Sequence, residues 1–378
     1  MTRRRCLAGL CLATLAAVGA GALPAAARDQ TAPGWRIVKI AGSLARGADF
    51  NMVVTSGRGN AWAAGTDGLG SEGGGGFPTR NALLEQWDGA TWRRVRVPVR
   101  LVRGLGGAES ISSSSARNTW IFGANAAAMW TLRYNRATWT KSMLPAAITN
   151  AAQHGNGGGA VTFGPDNAWI IEGGHAFHYA RHAWHSMQLS AATLIGGLDP
   201  VSARDMWVLG RYSKRARRSG NQYVAMHWNG SSWLPVPMSH LRLPAVSKFT
   251  LGPWAASGPH NLWVVGNLLH APFLLKWAGQ TNGWTRVSIP VRTIFIDGAA
   301  ADGSDGIWLY AYLENGTWAF LHYQAGAWTR YRVPAVPGGF TQIYSMTLIP
   351  GTHSILAAGT SLAPSATKSL AVVLKYGR

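Results

Sequence analysis

The sequence predicts an all-β fold, a seven-bladed β-propeller with four antiparallel strands per blade, and three observations predict it. A tryptophan-marked unit recurs along the chain, a pair of aromatics follows each copy, and the strand missing from the last repeat stands near the N-terminus.

The recurring unit is an Asx, one residue, a Trp, two apolar residues and a Gly. It occurs at Asn60, Trp62 and Gly65, at Asn118, Trp120 and Gly123, at Asp205, Trp207 and Gly210, and at Asn261, Trp263 and Gly266. Asn167 and Trp169 belong to the set with the Gly one place late, at Gly173. Asp305 and Trp308 form a looser copy, and Leu356 with Gly359 a copy in which Leu replaces Trp. A short apolar stretch precedes each unit, as at 51–55, 160–163 and 344–348, so the Asx sits in a turn between two strands, where its side chain can accept a backbone N–H.

Behind each unit comes an aromatic pair: Trp87 and Trp92, Tyr134 and Trp139, Tyr179 and Trp184, Trp228 and Trp233, Trp277 and Trp284, Tyr323 and Trp328. A spacing of five residues, kept by five of these six pairs, is that of a β-hairpin with a four-residue loop, which sets the two rings opposite each other. Prolines at 98, 145, 290 and 334 mark where the second strand ends. Each repeat is then four strands, a to d.

The seventh c strand, 370–376, is followed only by Gly377 and Arg378, whereas residues 34–40 match the d strand at 283–289. The N-terminal segment is therefore expected to complete the last blade and close the ring, leaving no open sheet edge. A flat Trp suits the gap of roughly 10 Å between packed sheets, so the recurring tryptophans are read as structural.

Arg3, Arg4 and Arg5 precede a run of small and apolar residues that ends at Ala25, Ala26 and Ala27. Residues 1–27 are read as a cleaved signal peptide and 28–378 as a single propeller domain, exported to the outside of the cell. The stretch from Thr2 to Leu7 also resembles a twin-arginine signal. Both cysteines, Cys6 and Cys11, fall in the leader, so the domain is expected to be stable without disulfides.

At these residues the chain resembles secreted bacterial Trp-repeat propellers of the broad kelch, tectonin and Asp-box type. A kelch-like double glycine stands at Gly173 and Gly174, an Asp-box-like stretch runs from Ser304 to Trp308, and a Trp-Asp ending occurs at Trp87 and Asp88. The galactose-oxidase branch of such propellers uses a Cys–Tyr crosslink beside copper, which a chain without cysteine after leader removal cannot form.

No cofactor motif is present, and none is expected. Insertions at 66–81, 146–158 and 211–222 all fall on the face that carries the d–a and b–c connections, making it the expected binding face. The last of them holds Arg211, Lys214, Arg215, Arg217 and Arg218, a patch suited to an anionic glycan or cell-wall polymer. With Tyr212 alone among them, nucleic acid is not the expected partner.

Removing residues 1–27 leaves 32 Lys and Arg against 15 Asp and Glu, a net charge of +17. Part of that excess lies on d strands, including Arg93, Arg94 and Arg96, where cations discourage edge-to-edge pairing.

His178 and His185, opposite each other in one hairpin, are the candidate metal pair; yet a polar residue precedes the c-strand aromatic in every blade, which favours a structural role. If the chain is an enzyme, the candidate acids are Asp49, Glu109 and Asp297, which open a strands. The reading is a secreted, monomeric, non-catalytic propeller that docks an anionic polymer or a protein partner. The alternative is a glycan-acting hydrolase or lyase.

Overall fold

The computed structural model describes residues 28–30, 34–43, 46–68, 77–78, 81–153, 158–189, 192–212, 223–238, 241, 249–268, 271–362 and 368–377. Its sheets are seven, each built on four antiparallel strands, in the order the repeats require.

Blade 1 runs Ala48–Gly57, Asn60–Asp67, Ala82–Trp87 and Trp92–Arg94; blade 2 runs Gly107–Ser115, Asn118–Ala124, Met129–Tyr134 and Trp139–Met143. Blade 3 is Gly159–Gly164, Asn167–Glu172, His175–Ala180 and Ala183–Gln188; blade 4 is Ala192–Ser202, Asp205–Tyr212, Tyr223–Trp228 and Trp233–Pro237. Blade 5 is Phe249–Gly258, Asn261–Leu268, Ala271–Trp277 and Trp284–Val287; blade 6 is Thr293–Ala301, Ile307–Leu313, Trp318–Gln324 and Ala327–Arg332. Blade 7 takes Phe340–Leu348, Ile355–Leu362 and Leu370–Tyr376 from the C-terminal end and its d strand, Trp35–Ala41, from the N-terminal end.

Closure follows the expected register, with Trp35 opposite Tyr376 and Ile40 opposite Val372. The aromatic pair of every blade is cross-strand, and the ring centroids lie 4.8–5.9 Å apart. Two short strands were not expected. Arg28–Gln30 runs parallel to the d strand of blade 6, and Phe77–Pro78, from the first insertion, pairs with the a strand of blade 2.

The glycine of the repeat has a packing cause. Every a strand carries a bulge, which re-aims the backbone; a Cβ on Gly65, Gly123 or Gly359 would strike the carbonyl of Asp49, Gly107 or Gln342 on that strand.

The core is a circle of seven clusters, one at each blade junction. The b-strand tryptophans Trp62, Trp120, Trp169, Trp207, Trp263 and Trp308 are fully buried. Five of them reach the outer aromatic pair of the next blade: Trp62 lies 5.4 Å from Tyr134, Trp120 5.5 Å from Tyr179, Trp169 4.9 Å from Trp228, Trp263 5.4 Å from Tyr323 and Trp308 4.4 Å from Tyr376. Edge-on and tilted contacts of this kind add to plain area burial. No helix among the described residues is long and apolar enough to cross a membrane.

Candidate functional site

The face bearing the a–b and c–d turns is held by a repeated relay. The polar residue before the c-strand aromatic lies opposite the b-strand Trp, against its ring: His178 stacks on Trp169 at 4.1 Å, His227 on Trp207 at 4.4 Å and His322 on Trp308 at 4.1 Å. Arg133 lies 3.7 Å from the Trp120 ring centre and Lys276 4.9 Å from that of Trp263.

In four blades the same polar residue also bonds an Asx at the a–b turn of its own blade, and in blade 5 Lys276 bonds Asp305 at that turn of blade 6. Gln86 Nε2 donates to Asn60 Oδ1 at 3.1 Å, His178 Nε2 contacts Asn167 Oδ1 at 3.1 Å and His227 Nε2 contacts Asp205 Oδ1 at 2.8 Å. In blade 6 the acid is Asp302 and not Asp305: its Oδ2 meets His322 Nε2 at 3.0 Å, while Oδ1 accepts from Ser304 N, Ser304 Oγ and Gly306 N. Burial alone would raise the Asp302 carboxyl, but these bonds outweigh it and hold the group at about 2.

The Asx amide also bridges blades. Asn60 Nδ2 donates to Ser113 Oγ, Asn118 Nδ2 to Thr162 Oγ1 and Asn261 Nδ2 to the Ser304 carbonyl, each in the next blade. In place of the backbone N–H expected at the turn, the Asx oxygens of Asn60, Asn118, Asn167 and Asp205 bond side chains, and Asx recurrence has this cause and a circumferential one.

His178 and His185 do face each other, as the hairpin spacing requires. One face of the His178 ring is taken by Trp169 and its Nε2 by Asn167. Burial, then His185, lowers its pKa, against Asp166.

The a strands of all seven blades line a central channel of about 1740 Å³. Seven residues face the b-strand Trp or Leu across the inner strand pair: Val54, Ser112, Val161, Asp199, Ala255, Ala300 and Thr347. Asp199 is the one titratable group of that ring, at a position that no repeat motif marks. Burial pushes it up to about 7, with Ala256 N opposing and Asp205 adding. Its Oδ2 accepts from Ala256 N of blade 5 at 2.6 Å, as Ser112 Oγ accepts from Thr162 N at 2.9 Å.

Of the three acids placed in catalytic roles, none lines this channel. Asp49 is buried and its Oδ1 accepts from Thr66 N at 2.8 Å. Glu109 and Asp297 occupy the bulges of blades 2 and 6. Burial raises the pKa of each of the three. Glu172, at the end of the blade 3 b strand, is raised to about 7 by burial first and then by the negative charge of Glu109. An acid closing an apolar strand just before Gly173 was the available signal for it.

Arg211 lies in the b strand of blade 4. Lys214, Arg215, Arg217 and Arg218 lie outside the described residues.

Architecture and register define a Trp-rich seven-bladed propeller. Neither a protein-family model nor a curated protein matches the chain. Among solved structures, it is similar to the β-propeller domain of the Trilobed protease from Pyrococcus furiosus, at 7% identity and a TM-score of 0.51, over 88% of this chain and 96% of that one. A fucose-specific lectin from Aleuria aurantia aligns at 12% identity and a TM-score of 0.46, over 76% and 97%. AofleA from Arthrobotrys oligospora aligns at 14% and 0.44, over 80% and 94%. At such identities the first of these likenesses speaks to the fold alone.

Proposed function

We propose that this chain is a secreted, non-catalytic binding propeller that docks anionic cell-surface polymers. The observation that supports it is how the two signs of charge are spent. Asp49, Asp67, Glu85, Asp88, Asp166, Asp205 and Asp302 are each bonded to a group of the chain itself. These acids are engaged within the chain, whereas Arg96, Arg100, Arg117 and Arg204 are exposed, and the formal net charge after removal of residues 1–27 is +17. A surface of that sign attracts polyanions through a field that salt screens within about 10 Å at 0.1 M.

The test is retention of the protein starting at residue 28 on purified cell wall and on a neutral polysaccharide across a salt series. Salt-reversible retention on the anionic polymer alone is expected. Equal retention on both polymers rejects the reading. A variant with Arg211, Lys214, Arg215, Arg217 and Arg218 replaced by Ser measures the share of the blade 4 loop.

A further inference from the structure

We infer that the outer groove between blades 1 and 2 is a binding site for the carboxylate or sulfate groups of an acidic polysaccharide, a location that rests on the anion-binding reading and deepens it. The groove has a volume of about 490 Å³, within the range of small-ligand sites. Arg93, Arg94, Arg96 and Arg100 line it above a floor that includes Tyr134 and Trp139, and no carboxylate does.

Local structure explains the convergence. After the d strand of blade 1, the chain crosses to blade 2 because Val95, Val97, Leu101 and Val102 pack into the cluster that holds Tyr134 and Trp139. Arg96, between two inward-packing valines, is exposed. Arg100 is exposed on the short helix Val99–Val102.

Three other cations on outer strands are occupied, while Lys141 and Arg332 are exposed but do not line the groove. Arg36 donates to the Gly377 carbonyl, Lys39 pairs with Glu85 and Arg286 lies over Phe273. In the groove, Arg93 donates to Gln86 Oε1 at 3.2 Å, and Arg94 to Asp67 Oδ2 at 3.0 Å and the Ala82 carbonyl at 3.4 Å. Arg96 and Arg100 make no ion pair among the described residues. Four guanidinium groups around one concavity, of which only Arg94 is in an ion pair among the described residues, give it a positive potential that an entering anion relieves.

A guanidinium fork matches a carboxylate or sulfate in two parallel hydrogen bonds. Tyr134 and Trp139 are 9% and 7% exposed, so neither offers the open ring face on which a nucleic-acid base stacks. The groove therefore selects fixed charges on a polymer in preference to bases.

The experiment measures binding of the protein starting at residue 28 to dextran sulfate, polygalacturonate, neutral dextran and oligo-dT at one salt concentration. It compares wild type, the double variant Arg96→Ser/Arg100→Ser, and a charge-matched control, Arg117→Ser/Arg204→Ser, at exposed turns elsewhere. Unchanged thermal midpoints certify folding.

The groove variant is expected to weaken binding to at least one acidic polysaccharide about ten-fold or more, and the control less than three-fold; the two polymers show whether sulfate or carboxylate is preferred. Equal losses in the two variants reduce the effect to bulk charge and overturn the site while leaving the anion-binding reading intact. No wild-type binding to either acidic polysaccharide overturns both. Tighter binding of oligo-dT than of both assigns the groove to nucleic acid and overturns the glycan.

Discussion

Blades 1 to 6 and blade 7 solve one packing problem differently. In the first six, a buried b-strand Trp lies beneath a polar c-strand residue, and in most of them that residue is tethered to an Asx. In blade 7, Leu356 replaces the Trp and faces Lys375, whose pKa is lowered by burial first and then by Arg36 and Arg58. What blade 7 lacks in the relay it gains from its N-terminal strand, whose Trp35 stacks on Phe320 of blade 6 at 3.8 Å and sits 5.4 Å from Trp308. The two junctions that flank blade 7 thus draw on both ends of the chain, and the other five on sequential neighbours.

The strongest way to break the comparison is to delete residues 28–41. Loss of a cooperative thermal transition, followed by circular dichroism, is expected, because the blade 7 sheet edge and the blade 6 aromatic cluster are exposed together. A normal melt would show that the ring does not need its closing strand.

Next in size come paired truncations. Trp308→Ala is expected to cost about 3–5 kcal/mol and Leu356→Ala about 2–3 kcal/mol in urea unfolding, since the larger side chain leaves the larger cavity. A larger loss at Leu356 would reverse the ranking of the two junctions.

Asp302 sharpens the contrast through pH. Its carboxyl is held at about 2, below the unfolded value of about 3.9, so the stability it supplies is complete above pH 4 and is lost as pH falls toward 2. Unfolding free energies measured across that window should fall by about 2 kcal/mol more in wild type than in Asp302→Asn.

Asp199 runs the other way. A folded value near 7 means that the native state holds a proton the unfolded chain has released, so stability declines as pH rises from about 4 to 7. Asp199→Asn should flatten that decline by about 1–2 kcal/mol, less than for a fully buried group because Asp199 is partly exposed to the channel. An unaltered slope would place its titration below pH 4.

The smallest effect is expected at Lys375, which has no aromatic opposite it: Lys375→Gln should change stability by no more than about 0.5 kcal/mol by the same measurement.

Sequence alone determined blade number, the aromatic register and the closing role of Trp35, because hairpin spacing and strand alternation act over a few residues and repeat along the chain. It also identified the position held by Gln86, His178, His227 and His322 as structural. Tertiary structure decided that Asp302 and not Asp305 anchors blade 6, that Glu109 lies near enough to raise Glu172 while Asp49 turns to Thr66, that Asp199 is the lone titratable group of its channel ring, and that Arg96 and Arg100 share a groove. Most of these depend on which surfaces of two blades meet, and Asp302 over Asp305 on the path of a single turn. Such matters are settled by packing between neighbouring sheets and by turn geometry, which periodicity within a repeat does not encode.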